Sequence, residues 1–391
     1  MKGIKRVKLS SFYFFYFTVF GILVPFSGLY YEFLGFNAIQ IGQLSAVFVV
    51  TKIVSPNLFG WVSDKTGLKM FWVKLCSFLT FAFLILFAVQ DDFYWILLSV
   101  FLFSFFFHST LPIFESYTFT ALKKANIDKS GYGKIRLWGS VGFVFAVIVA
   151  GWLFDKFSIA YFAWFVVGFA VAVWLSVLFL KEDKVTHAPV EEIKFFYIVK
   201  QPAVIALLMV SLLIQFSHGS YYGFYSIFLS DAGYTKTAIA LFWAVGVVAE
   251  IAVFLYMTPL FNKFSAKRVL IISLWLTLLR WLLIPFAIEN EVLLFLAQLL
   301  HAASYGLFHA AAIYLIDQAF IGKVQNRGQA IYASLSHGLG GALGLLLAGV
   351  VWFRYGANIS FLISAFLVVF ALIIAYKYIM RPLHKSNHDL K

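Results

Sequence analysis

The sequence predicts an all-α membrane protein with twelve transmembrane helices, built as two parallel six-helix halves. Three observations predict this class: an apolar composition, a series of long hydrophobic stretches, and a repeat that relates the two halves. Hydrophobic residues make up 63% of the 391 residues and charged residues only 12%, which is too few charges to cover a water-facing globule. We therefore expect the chain to lie in a lipid bilayer.

The helices are predicted from the length of the apolar stretches, because a bilayer core about 30 Å thick needs roughly 20 apolar residues per span. The twelve predicted spans are 9–31, 41–62, 71–90, 93–122, 135–155, 157–181, 201–229, 237–259, 269–288, 292–320, 328–353 and 357–380. The longest polar joint carries both signs of charge and a proline, which is typical of a linker. The predicted domains are an N-terminal six-helix half (1–181), a cytoplasmic linker (182–200) and a C-terminal six-helix half (201–391).

The net charge of +13 follows the predicted topology and does not indicate a nucleic-acid partner. With a cytoplasmic N-terminus, 25 of the 30 Lys and Arg residues fall in cytoplasmic segments. The five exceptions are Lys156, Lys236 and Arg354 in outer segments, and Lys52 and Arg280 within spans. This positive-inside bias predicts a multi-pass protein of the cell inner membrane with both termini in the cytoplasm.

The repeat appears when the sequence is compared with itself at one constant shift of 198 residues. The matching pairs are Gly21 and Gly219, Gly35 and Gly233, Ala46 and Ala244, Ile53 and Ile251, Gly142 and Gly340, Ala150 and Ala348, and Gly151 and Gly349. One shift that holds from the first to the eleventh span predicts two parallel halves. In transporters, a site between such halves lies near the bilayer midplane.

The joint after the second span carries a charged motif. Its defining positions are Gly60, Asp64, Lys65, Gly67 and Lys69. From the residues, we expect Gly60 to allow close helix approach, Asp64 to face the positive N-terminus of a neighbouring helix, and Gly67 to form the turn. The alternative is an ordinary charged hairpin joint. The motif resembles the major facilitator superfamily signature G-x-x-x-D-[RK]-x-G-[RK]-[RK] and departs from it at Leu68, so the resemblance implies that fold and a conformational role for the loop.

Ionisable side chains inside a bilayer are costly, so each one in a span is a candidate functional residue. They are Lys52, Glu115, Glu250, Arg280 and Asp317, and Arg136 opens the fifth span at the cytoplasmic edge. The alternative is a buried pair that only fixes helix packing.

Polar side chains also form stripes at helical spacing on three spans. They are Ser104, His108, Glu115 and Thr118 on the fourth span, Ser211, Gln215, His218 and Tyr222 on the seventh, and Gln298, His301, Tyr305 and His309 on the tenth. The resemblance implies that these spans line the substrate path. The predicted substrate-binding residues are Glu115, Arg136, His108, Gln215, His218, Tyr222, His301 and Tyr305. For any single His, a hydrogen bond to a neighbour is an equal alternative.

Acidic and basic residues on the fourth, fifth, eighth, ninth and tenth spans resemble the lactose-permease pattern. The runs Gly133–Gly142 and Arg327–Ala330 are similar to the phenylpropionate-permease branch. The resemblance implies proton coupling through Glu250, Arg280 and Asp317. One departure is that Tyr314 stands three residues before Asp317, where lactose permease has a His.

The predicted function is proton-coupled uptake of a small organic solute, such as an aromatic carboxylate, by alternating access. The alternatives are a sugar or nucleoside proton symporter, or a membrane sensor that binds a ligand without moving it. The sequence has no nucleophile–base set or phosphate loop that would indicate an enzyme. Its single cysteine, Cys76, argues against a thiolate metal cluster. We expect no cofactor and no metal, a proton gradient as energy source, and a functional monomer whose partners are the solute, protons and the lipid bilayer.

Overall fold

A computed structural model of the protein describes residues 3–125, 127, 130–181 and 195–379. Within these ranges every regular element is a helix and there is no strand. The first six helices are α1 (Gly3–Phe33), α2 (Ala38–Thr66), α3 (Lys69–Ala88), α4 (Phe93–Lys124), α5 (Ser130–Lys156) and α6 (Phe162–Leu178). After them come α7 (Phe195–Val199), α8 (Pro202–Ser217), α9 (Gly219–Asp231), α10 (Lys236–Leu255), α11 (Met257–Lys263), α12 (Ala266–Ala287), α13 (Glu291–Leu299), α14 (Phe308–Ala319), α15 (Gln325–Ala333) and α16 (Gly341–Ile374).

Eleven helical stretches of the described chain are long and apolar enough to cross a membrane. The last one, Gln325–Ile379, has 55 residues and would measure about 80 Å as a straight helix, more than twice the thickness of a bilayer core. Two helices meet inside it at Gly356, whose φ of 80° and ψ of 179° are not helical. The predicted boundary between the spans 328–353 and 357–380 falls at this residue, and the total of twelve crossings stays a prediction.

Several predicted spans are not continuous α-helices. The span 201–229 is broken at His218, where α8 ends and α9 begins. The span 292–320 contains a π-helical segment, Ala302–Leu307, between α13 and α14. A second π-helical segment, Ser334–Gly340, precedes α16. The length of an apolar stretch, which predicted these spans, does not report such breaks because it carries no information on local backbone hydrogen bonding.

The shift of 198 residues also relates local structure. Helix α1 ends at Phe33 and α2 begins at Ala38, and α9 ends at Asp231 and α10 begins at Lys236, each exactly one shift later. The connecting glycines Gly35 and Gly233 both have positive φ, 83° and 88°, which suits a residue without a Cβ. These agreements support the division into related halves, which remains a prediction.

The two predicted halves meet chiefly through two helix pairs, α2 with α16 and α5 with α10, and also where α1 packs against α9. A Cβ added to Gly349 on α16 would lie 2.6 Å from the carbonyl oxygen of Ala38 on α2. A Cβ added to Gly151 on α5 would lie 2.6 Å from the carbonyl oxygen of Lys236 on α10. Because both glycines and both carbonyls are related by the shift, the same close contact occurs twice between the halves.

Candidate functional site

A cavity of about 310 Å³ lies between these helix pairs. Both predicted halves contribute to its wall. Its polar and charged lining residues are Ser27, Tyr31, Ser45, Lys52, Arg136, Ser140, Gln215, Tyr222, Glu250, His301, Tyr305 and His337, and its aromatic lining residues include Phe17, Phe48, Phe103, Phe143 and Trp243. The cavity is large enough for a small organic molecule.

Arg136 and Glu115, two of the predicted substrate-binding residues, form one cluster at the edge of the cavity. Arg136 Nε lies 4.0 Å from Glu115 Oε1, and the Tyr132 hydroxyl donates to the same oxygen at 2.8 Å. The guanidinium carbon of Arg136 lies 3.9 Å from the ring centroid of Phe17. Arg136 therefore has a carboxylate at ion-pair distance and a ring against its guanidinium, and only Arg136 of the pair lines the cavity.

A second cluster joins Glu250, His301 and Arg280, which come from three different elements. Arg280 is fully buried, and its terminal nitrogen Nη1 lies 3.1 Å from His301 Nδ1. An arginine only donates hydrogen bonds, so Nδ1 of His301 accepts and the ring proton of neutral His301 sits on Nε2. That nitrogen lies 3.7 Å from Glu250 Oε2. The Nε2–H group of His301 therefore points toward the Glu250 carboxylate on the cavity wall, and the Arg280 cation contacts the other nitrogen of the same ring.

Further groups hold Arg280 in place, among them the Gln298 side-chain oxygen, which accepts from Nη2 at 3.3 Å. Arg280 also donates from Nε to the Ala297 carbonyl at 3.0 Å and from Nη1 to Ser304 Oγ at 3.0 Å, and its guanidinium carbon lies 4.1 Å from the Tyr221 ring centroid. Every side of the guanidinium is occupied by protein, so Arg280 does not line the cavity. It acts on the site through His301.

A column of rings runs along the π-helical segment and α14. The centroids of His301 and Tyr305 are 5.8 Å apart and those of Tyr305 and His309 are 5.9 Å apart, with nearly parallel planes. His309 Nδ1 lies 3.0 Å from the Tyr332 hydroxyl, and the His337 ring lies 5.5 Å from the His309 ring. His337 is not among the site residues predicted from the sequence, although a titratable side chain inside the predicted span 328–353 was a usable signal.

Five of the eight predicted substrate-binding residues line the cavity: Arg136, Gln215, Tyr222, His301 and Tyr305. The other three do not. Glu115 lies behind Arg136, His108 is buried with Nδ1 2.8 Å from Thr51 Oγ1, and His218 is buried with Nδ1 2.7 Å from the Ile214 carbonyl. The expectation that the stripe of the fourth span faces the cavity is wrong in this conformation, since α4 contributes only Phe103.

Asp317 lies apart from the other two predicted proton-coupling residues. It accepts a hydrogen bond from Gln329 Nε2 at 2.8 Å and does not line the cavity. The residue that joins Glu250 to Arg280 is His301, which is one of the predicted substrate-binding residues. The proton-coupling role of Asp317 stays a prediction without a contact to support it.

The charged motif after the second span has a defined geometry. Gly67 ends α2 in the left-handed conformation, φ 69°, as its place in the turn predicted. Lys69 is buried, donates to Ser116 Oγ at 2.7 Å and lies 3.9 Å from Asp64. The expectation for Gly60 is wrong in this conformation, because an added Cβ would meet nothing within 4 Å. Lys65 lies over the Trp61 ring at 5.0 Å, and the conformational role of the motif stays a prediction.

Comparisons with known proteins place this chain among transporters. The model of the MFS_1 like family matches residues 6–363. The chain is 28% identical over 362 residues to the "Probable 3-phenylpropionic acid transporter" of Escherichia coli (strain K12), which covers 91% of this chain and 93% of that protein. It is 22% identical over 384 residues to the "Maltose permease" of Geobacillus stearothermophilus, with 95% and 93% covered. The solved structure of the nucleoside transporter NupG matches with a TM-score of 0.84 at 19% identity, over 96% of this chain and 98% of that one, a likeness that shows the fold.

Proposed function

The chain belongs to the MFS_1 like family of transporters, and from this premise we propose that it couples proton entry to uptake of a small organic solute, such as an aromatic carboxylate. The proposed mechanism is alternating access, in which the two halves expose the cavity to one side of the membrane at a time.

The observation that carries this proposal is the cluster of Glu250, His301 and Arg280 on the cavity wall. Glu250 takes up the proton, and its carboxylate is the partner of the His301 N–H group after the proton leaves. The present 3.7 Å separation is longer than a hydrogen bond, so a small shift of α10 against His301 makes or breaks the contact. Because α10 also packs against α5 of the other half, protonation of Glu250 is linked to the arrangement of the halves.

The walls of the cavity support an aromatic anion as solute. Rings of Phe48, Tyr222, Trp243 and Tyr305 line it, and flat rings give such walls a large contact area with an aromatic ligand. Lys52 and Arg136 add positive charge. The relative that is named for 3-phenylpropionic acid transport makes 3-phenylpropionate the first solute to test.

A second candidate is a neutral sugar or nucleoside. Three hydroxyl groups, those of Ser27, Ser45 and Ser140, and the Gln215 amide line the same cavity and suit a ligand rich in hydroxyl groups. The relative named as a maltose permease and the structural likeness to a nucleoside transporter identify maltose and uridine as the comparison solutes.

The coupling proposal is tested with Glu250→Gln in proteoliposomes. Gln resembles the protonated carboxyl, so this variant is expected to exchange 3-phenylpropionate by counterflow at a rate near wild type but to fail to accumulate it under an imposed proton gradient. Glu291→Gln, which removes an exposed carboxylate at the start of α13, is the matched control and is expected to accumulate normally.

Each other outcome points to a different conclusion. Accumulation by Glu250→Gln as strong as by wild type moves the coupling site to Asp317 or Glu115. Counterflow of uridine or maltose, but not of 3-phenylpropionate, by wild type favours the second candidate. Binding without counterflow of any solute supports a membrane sensor.

We also infer a multi-pass position in the inner membrane, with both termini cytoplasmic, and function as a monomer. The distribution of Lys and Arg supports this orientation. Protease treatment of intact spheroplasts and of inverted vesicles tests it with a tag at either end.

A further inference from the structure

Lys52 differs from the other charged groups of the cavity because it has no ionic partner. Its ammonium lies 5.5 Å from the ring centroid of Phe20 and 5.8 Å from that of Phe48. Across the described ranges of the chain, no carboxylate lies within 4.0 Å of its Nζ, and no hydrogen bond from Nζ to the protein is present. The side chain therefore ends in the cavity with its three donors free.

The remaining charges at the site already have partners. Arg136 lies 4.0 Å from Glu115, and Glu250 lies 3.7 Å from His301. An anion that bound Arg136 would have to compete with Glu115, whereas one that bound Lys52 would compete with no carboxylate of the described chain. The positive charge available to a ligand is therefore that of Lys52.

An ammonium group surrounded by apolar rings is unfavourable unless an anion or hydrogen-bond acceptors satisfy it. The faces of Phe20 and Phe48 provide partial compensation through cation–π attraction. A carboxylate supplies the missing acceptors and makes a charge-assisted hydrogen bond, which is stronger than a neutral one. The site is thus suited to a ligand that carries one carboxylate.

We propose that Lys52 is the residue that binds the carboxylate of the solute and that makes the cavity select an aromatic monocarboxylate over its uncharged analogues. This inference rests on the proposed transport of aromatic carboxylates and adds the specificity-determining residue. The aromatic part of the solute meets the rings of Tyr222, Trp243 and Tyr305, which line the cavity with Lys52. Arg136 stays paired with Glu115 and shapes the site, but it does not bind the carboxylate of the solute.

The experiment compares an acid with its uncharged analogue. Binding of 3-phenylpropionate and of 3-phenylpropanamide to the full-length protein in lipid nanodiscs is measured by calorimetry for wild type, Lys52→Met and Lys52→Arg. Wild type is expected to prefer the acid. Lys52→Met is expected to lose affinity for the acid by about tenfold or more, the effect typical of a lost charged hydrogen bond, while its affinity for the amide stays within about twofold. Lys52→Arg is expected to retain most of the preference.

Lys156 provides a matched control. Its ammonium also lies over two rings, 5.1 Å from Trp152 and 5.5 Å from Phe157, but it does not line the cavity. Lys156→Met is expected to bind both probes as wild type does. Unchanged amide binding by Lys52→Met shows at the same time that this variant is folded.

Two results would overturn the inference, and they differ in what else they overturn. If wild type binds the acid and Lys52→Met binds it equally well, Lys52 is not the carboxylate site, but the proposed function stands. If wild type binds neither probe, or prefers the amide, the site takes no aromatic carboxylate, and both the inference and the proposed substrate class fail. A loss of acid and amide binding to the same degree by a Lys52→Met protein that elutes as wild type also overturns the selective role.

Discussion

At the scale of single residues, the two cations of the cavity, Arg136 and Lys52, differ in their partners. Arg136 is held by Glu115 and by the ring of Phe17, with the guanidinium carbon 3.9 Å from the ring centroid. Lys52 has rings beside it but no anion. One cation therefore stabilises the architecture of the site, and the other is free to bind a ligand. Charge alone did not distinguish the two in the sequence.

This separation predicts the effect of Arg136→Lys. Lysine keeps the charge but loses the planar group that stacks on Phe17 and reaches Glu115. We expect the affinities for 3-phenylpropionate and 3-phenylpropanamide to fall together by about fivefold, since a stacked cation contributes about 1 kcal/mol. Lys134→Gln, an exposed change on the same helix, is the control and should have no effect. A selective loss of acid binding in Arg136→Lys would assign the carboxylate to Arg136.

At the scale of elements, glycines set how closely the helices of the two predicted halves approach. A side chain on Gly349 would collide with the backbone of α2, and one on Gly151 with the backbone of α10. Backbone atoms cannot move aside as a flexible side chain does. The contacts of α2 with α16 and of α5 with α10 therefore depend on the absence of two Cβ atoms, as in other close helix pairs of membranes.

We predict that Gly349→Ala and Gly151→Ala each lower the melting temperature of the purified protein, with a cost of about 1–3 kcal/mol as for other overpacked sites. Gly168→Ala is the matched control, because an added Cβ there meets nothing within 4 Å. In a helix, alanine is slightly more favourable than glycine, so this control should be neutral or stabilising. Equal melting temperatures for all three variants would mean that the purified protein does not hold the two halves in this contact.

The broken helices belong to the same scale. His218 separates α8 from α9, and the π-helical segment Ala302–Leu307 separates α13 from α14. Both breaks lie next to cavity-lining residues, Gly219 after the first and Tyr305 within the second. Interrupted helices in a membrane are tolerated where they line a cavity, so the breaks mark the site independently of its charges.

At the scale of the whole molecule, one carboxylate joins the two predicted halves at their predicted outer end. Asp155, near the end of α5, accepts hydrogen bonds from the backbone nitrogens of Lys236 and Thr237, both at 2.8 Å, and from Thr237 Oγ1 at 2.6 Å. The carboxylate sits at the N-terminus of α10, where the helix dipole favours a negative charge. Opening this end of the molecule requires that all three bonds break.

Asp155→Asn is therefore predicted to open the outer end more often. The amide keeps only one acceptor oxygen and carries no charge. A cysteine placed in the cavity by Ser27→Cys should then react faster with a membrane-impermeant maleimide added outside than the same cysteine in a protein that keeps Asp155. We expect a rate increase of about tenfold, which is the effect of losing one charged hydrogen bond. The natural Cys76 is buried.

Asp92→Asn provides the control for this experiment. Asp92 also caps a helix N-terminus, accepting from the nitrogens of Tyr94 and Trp95, but it does so within one half. Its replacement should leave the labelling rate unchanged. If Asp155→Asn and Asp92→Asn label alike, the Asp155 contact does not control opening.

The sequence by itself determined the class of this molecule and most of its helices. Lipid allows few ways to satisfy a backbone and requires spans of a fixed length, so composition and spacing suffice to locate them. The shift of 198 residues was also readable from the sequence, and in the structure it relates helix ends, turn glycines and the close contacts of Gly151 and Gly349.

Only the tertiary structure decided which polar groups meet. The sequence identified Glu250 and Arg280 but did not show that His301 joins them. It placed His108 on a cavity wall to which α4 contributes only Phe103. It also did not show that Lys52 lacks an ionic partner. The physical reason is that partners are chosen by the rotation and tilt of each helix and by its breaks. Rotation, tilt and breaks are set by contacts between helices, such as those of Gly349 and Asp155. Such contacts join residues that are far apart in the chain, so the hydrophobic periodicity of a single span does not record them.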